Sequence, residues 1–135
     1  MKTILIVDAN QLARDYVKSV LPGQATQEES SPINALMALE RDPDIKGAIV
    51  DLQIGGGLTS GVRFVREAKA RRPYVPIIVL TGFALEDVDR TLIARCMDDG
   101  AFAIIPKPGG QVTVDQFTAQ LQAAVSFALG SQYVG

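Results

Sequence analysis

Histidine and tryptophan are absent from this 135-residue chain, and cysteine occurs once, at Cys96. Without histidine there is no Ser-His or Cys-His nucleophile and base, and no zinc site built on imidazole. A single thiol forms no internal disulfide and fits a reducing compartment, which points to the cytosol. Aromatic residues make up 6% of the chain, too few to stack a flavin ring well. No apolar run approaches the ~20 residues of a membrane span, and the N-terminal MKTILIVDAN reaches Asp8 too soon for a signal peptide. The formal net charge of −2 gives no basic field to draw the chain onto nucleic acid.

What is present is a globular composition, 47% hydrophobic and 21% charged, enough for one packed core. Short β-branched apolar runs alternate with segments of helical period along nearly the whole chain, the signature of βαβ units and a parallel sheet. Strands are expected at Thr3 to Val7, near Ala25 to Glu28, and at Ala48 to Leu52, Pro76 to Leu80 and Ala101 to Ile105. The second is polar and weak, as an edge strand would be. The intervening helices carry apolar stripes: Leu12, Tyr16, Val17, Val20 and Leu21; Leu36 and Leu39; Val62, Val65 and Ala68; Val88, Leu92 and Cys96; Phe117, Leu121, Val125 and Ala128. The helices are expected from Gly61 to Arg72, from Leu85 to Asp98 and from Val114 to Leu129, with Ser30-Ser31 capping another that starts at Pro32. Five strands and five helices make one doubly wound α/β domain over residues 1–130, with 131–135 as a short tail. Cys96 and Tyr16 read as core, and Arg71-Arg72 as a solvated helix end.

In such a sheet, ligands bind at the carboxyl ends of the strands. Those ends carry Asp8, Asp51, Thr81 and Lys107. Two neighbouring carboxylates repel by ~4 kcal/mol at 4 Å and an effective dielectric of 20, so they favour a cation. With no His or Cys nearby, a hard, oxygen-seeking ion such as Mg²⁺ suits them. Asp51 then reads as a nucleophile that forms an acyl phosphate, with Lys107 and Thr81 meeting the phosphoryl oxygens. The three glycines at 55–57 invite comparison with a phosphate-cradling loop, but the spacing fits neither G-x-x-x-x-G-K-[ST] nor G-x-G-x-x-G.

From ILIVD through DLQIGGGLTSG and VLTG to PKP, the chain resembles the receiver domain of two-component response regulators. The resemblance implies a flavodoxin-like (βα)5 fold with strand order 2-1-3-4-5. It further implies a phosphoacceptor at Asp51, Mg²⁺ held by Asp8, Asp51 and the Gln53 main-chain carbonyl, and supporting roles for Thr81 and Lys107. A candidate cis peptide at Lys107-Pro108 comes with it. The implied partners are a histidine kinase or phosphotransfer protein and a downstream protein target, the latter meeting part of the last helix. No enzymatic or DNA-binding output module is expected, and the action is protein–protein switching or onward phosphorelay in the cytoplasm.

Three departures qualify that likeness. The family usually has two adjacent acids after strand one, whereas Asp8 is followed by Ala9, which weakens the implied Mg²⁺ site. Ile104 stands where the family commonly has an aromatic residue, so the usual ring-turning switch is not available. The family's glycine eight residues past the phosphoacceptor corresponds to Gly61, ten past Asp51, and its Met-Pro pair is missing. Ala9 and Ile104 favour the alternative of a degenerate receiver, a phosphorylation-independent binding module. Retained Asp51, Thr81 and Lys107 oppose it.

Overall fold

Strands that are apolar on both faces need helices on both faces, and the chain supplies them. The computed structural model describes residues 2–54, 59–82, 87–110 and 112–130, without the side chains of 87–89. In chain order the elements are β1 (Thr3–Val7), α1 (Gln11–Ser19), β2 (Thr26–Glu29), α2 (Pro32–Arg41), β3 (Ile45–Asp51), α3 (Ser60–Arg71), β4 (Ile77–Thr81), α4 (Asp87–Asp98), β5 (Ala103–Pro106) and α5 (Val114–Leu129). The five strands form one parallel sheet in the order β2-β1-β3-β4-β5, the flavodoxin-like arrangement.

The two-residue period of the strands splits the core in two. Leu5 and Val7 of β1, Ala48 and Val50 of β3, and Ile77 and Val79 of β4 face α2, α3 and α4, where Leu39, Phe64, Val65 and Cys96 are buried. Ile4, Ile6, Ile49, Ile78 and Leu80 face α1 and α5, against Val17, Phe117, Leu121 and Val125. Cys96 is fully buried, which pushes its thiol pKa up to about 11, with Asp99 adding to the rise. It is a core residue, as its spacing implied. Tyr16 is partly buried and stacks on Phe117, ring centroids 5.8 Å apart.

Helix boundaries follow local chemistry. The Asn10 side chain accepts the Leu12 and Ala13 N–H groups at 2.8 and 3.2 Å and caps α1. Ser31 caps α2 ahead of Pro32. Thr113 and Gln116 form a reciprocal capping box on α5, which Gly130 ends with φ of 66°.

Several expectations need correcting. Leu12 is exposed, because at 3.6 residues per turn it lies about 140° around α1 from buried Val17 and about 160° from buried Arg14. β3 begins three residues earlier than expected, at Ile45, since Lys46 points to solvent while Ile45 and Gly47 are buried. β5 begins at Ala103, two residues late. Arg72 is no solvated helix end: its guanidinium donates to the carbonyls of Leu39, Asp42 and Ile45 at 2.7, 3.2 and 2.9 Å and ties the end of α3 to the α2–β3 turn. Every peptide bond among the described residues is trans, Lys107-Pro108 included, so the cis expectation fails here. The expected first turn of α4 at Leu85, the side chain of Val88, the loop glycines 55–57 and the tail 131–135 lie outside the described residues.

Candidate functional site at the strand ends

Each chemistry-bearing residue sits where a strand runs out. Asp51 is the last residue of β3 and pairs in register with Leu80, so Thr81 lies one step further along the neighbouring strand. Thr81 is buried at 2% exposure, and its carbonyl accepts the Lys107 N–H at 2.9 Å, fastening the start of the β5–α5 connection to the end of β4. Asp8 directly follows β1 and is 6% exposed.

Lys107 joins the two acids. Its Nζ stands 3.6 Å from Asp8 Oδ2 and 3.6 Å from Asp51 Oδ1. The first pair is held from the protein side, because Asp8 Oδ1 accepts the Asn10 N–H at 2.9 Å in a tight local turn. The second has a weaker brace in the Gln53 N–H, 3.4 Å from Asp51 Oδ1. Two carboxylates and one ammonium leave the cluster with one net negative charge. The Asp8 side chain is 9% exposed, and a carboxylate so nearly withdrawn from water needs that cation.

The donor set fits a hard divalent ion: two convergent carboxylates and no sulfur or imidazole ligand. Among the described residues no three Asp, Glu, Cys or His side chains gather as metal ligands, and Ala9 follows Asp8. Ile104 is partly buried and packs with Ile93 against the core on the α2–α4 side, giving the position an aliphatic rather than an aromatic contact.

Sequence reading missed Arg14. It is 9% exposed, and its guanidinium donates to the Asp8 main-chain carbonyl, to Glu28 Oε1 at 3.1 Å and to Gln11 Oε1 at 2.7 Å. Glu28 also pairs with Lys18 at 3.0 Å, and that hydrogen bond, ahead of those from Arg14, holds its carboxyl below the usual range. The signal was present: Arg14 stands three and seven residues before Val17 and Leu21, in register with the buried face of α1.

Comparison with known proteins agrees with this architecture. The profile of the response regulator receiver domain family matches residues 4–119. A protein-glutamate methylesterase/protein-glutamine glutaminase from Treponema denticola is 25% identical over 118 residues, covering 85% of this chain and 31% of that protein, so the chain spans under a third of its length. The fold resembles a CheY-like receiver domain protein from Methanospirillum hungatei, with TM-score 0.76, 21% identity and coverage of 100% and 99% of the two chains. It also resembles a response regulator protein from Burkholderia pseudomallei whose structure contains a phosphorylated aspartic acid, a calcium ion and citrate. There the TM-score is 0.73, identity 23%, and coverage 98% of this chain and 71% of that one.

Proposed function

Because the chain belongs to the response regulator receiver domain family, we propose that Asp51 accepts a phosphoryl group from a phosphohistidine on a kinase or phosphotransfer protein. The observation that carries this reading is Lys107, whose single ammonium meets both strand-end carboxylates at 3.6 Å. In the transfer, a carboxylate oxygen of Asp51 bonds to phosphorus as the phosphorus–imidazole nitrogen bond breaks, and the electron pair leaves with the imidazole. Lys107 then offsets charge on the phosphoryl oxygens, and the Thr81 hydroxyl donates to one of them. Asp8, Asp51 and the Gln53 main-chain carbonyl would hold Mg²⁺, which supplies further positive charge against those oxygens. With two site carboxylates in place of three, that ion binds more weakly than in a receiver with both acids after β1. The chain itself is a phosphoacceptor and not an enzyme acting on a separate substrate. The resulting change in surface alters binding to a downstream protein or passes the phosphoryl group on, in the cytoplasm.

The test is intact-mass spectrometry after incubation with a small acyl phosphate, with and without Mg²⁺. One added phosphoryl group is expected, stimulated by Mg²⁺ and absent from Asp51→Asn. No gain at high Mg²⁺, or an undiminished gain in Asp51→Asn, would overturn the reading. The first outcome would favour a phosphorylation-independent binding module, the role to which Ala9 and the aliphatic Ile104 lend weight.

A further inference from the structure

We propose that Arg14 is a positioning residue for Asp8: its buried guanidinium, anchored by Glu28 on β2, fixes the main chain beyond β1 so that the Asp8 carboxylate meets Lys107 and Asp51. The inference rests on the phosphoacceptor reading of Asp51 and adds a residue that lies at none of the four strand ends.

A guanidinium withdrawn from water is costly unless its donors are used. Arg14 uses three, and one goes to the residue the site depends on. Asp8 is thereby held at every point but one. Its N–H donates to the Glu29 carbonyl at 3.2 Å, its carbonyl accepts from Arg14, and its Oδ1 accepts from Asn10. The remaining oxygen, Oδ2, is the one that faces Lys107. Ala9 makes this restraint matter more, since no second acid beside Asp8 takes over if its carboxylate turns away. Lysine cannot reproduce the device, because one ammonium on a flexible stem does not span a carbonyl and a carboxylate in the fixed fork of arginine. Glu28 is the outer anchor, and Lys18 holds its other oxygen.

The experiment uses the full chain and the variants Arg14→Lys, Arg14→Met and Glu28→Gln, with exposed Arg63→Lys as control. Three quantities are read: the Asp8 carboxyl carbon resonance at pH 7, the Mg²⁺ dissociation constant by calorimetry, and the initial rate of phosphorylation at limiting and saturating Mg²⁺. In folded Arg14→Lys the expected results are a displaced Asp8 resonance, Mg²⁺ affinity lower by about tenfold, and a rate that falls at limiting Mg²⁺ but recovers toward wild type at saturation. A merely structural arginine would lower stability without that split. Glu28→Gln shifts the same readouts in the same direction by less, and decides the matter if Arg14→Met does not fold. An unmoved Asp8 resonance with unchanged Mg²⁺ affinity in folded Arg14→Lys overturns the proposal. If wild type accepts no phosphoryl group, the function proposed for Asp51 fails by itself. The Asp8 resonance then still decides the role of Arg14: displaced in Arg14→Lys but not in Arg63→Lys supports it, and undisplaced refutes it.

Discussion

The main-chain N–H of Gly61 donates to the Leu52 carbonyl at 3.0 Å, and a β-carbon on residue 61 would stand 2.1 Å from that same oxygen. The first turn of α3 is thus seated on the backbone just past Asp51, closer than any side chain allows. Its backbone angles are ordinary, so the requirement for glycine here is steric contact, not conformational freedom.

Gly61→Ala should therefore push α3 away from the end of β3 and destabilise the domain by about 1–3 kcal/mol, the usual range for overpacking. Urea denaturation measures this. Stability equal to wild type would mean that the helix moves without cost and that the contact does not fix the loop beside Asp51.

The two consecutive arginines at the end of α3 should behave differently. Arg72 donates to three main-chain carbonyls that end α2 and open β3. Its replacement by Met is expected to cost about 2–3 kcal/mol, as charge-assisted bonds to partly buried groups are lost. Arg71 pairs with Glu40 at the surface, where the two side chains are 35% and 55% exposed, and Arg71→Met should cost under ~1 kcal/mol. Thermal melts of the two variants compare them directly; equal losses would contradict the clamp.

That contrast marks where sequence reading reaches its limit. The alternation of elements, the sheet-edge character of β2 and the convergence of Asp8, Asp51 and Lys107 were legible, because period and parallel topology alone bring strand ends together. Arg72 was misread as a solvated helix end, Arg14 was missed, and Gly61 was placed at the start of its helix without its contact with Leu52. Their roles depend on main-chain groups 27 to 33, 6 and 9 residues away, and a carbonyl leaves no trace in the sequence. Leu12 misled because it lies near Tyr16 on the helix surface but about 140° around it from Val17, the residue that the core buries.

Glu28 carries a pH signature. Lys18, then Arg14, holds its carboxyl below the ordinary range in the folded chain, whereas the unfolded chain titrates it normally near about 4.3. A depressed folded pKa contributes stability that is fully present above the unfolded value and is lost as pH falls through the folded one. Unfolding free energy should thus decline from about pH 4.3 downward, and Glu28→Gln should remove part of that slope while lowering stability at pH 7. Parallel stability curves for the two proteins between pH 3 and pH 7 would rule out the linkage.

Lys107 offers the sharpest electrostatic test, because its removal should act in opposite directions on two measurements. Asp8 and Asp51 have side chains 9% and 22% exposed and share this ammonium, so Lys107→Ala leaves two carboxylates facing one another. Without divalent ions the variant should lose about 1 kcal/mol of stability, well under the full Coulomb estimate because Lys107 is 30% exposed to screening solvent. The cluster then carries two net negative charges instead of one, so Mg²⁺ should bind several-fold more tightly and raise the melting temperature more than it does in wild type. On the role proposed for Lys107, phosphorylation should nevertheless slow, since the phosphoryl oxygens would lose an ammonium partner. Stronger metal binding with slower transfer is a combination that a solvated loop lysine would not produce. Melting curves with and without Mg²⁺, calorimetric Mg²⁺ titration and the phosphorylation rate together measure it, and an unchanged Mg²⁺ response would remove Lys107 from the site.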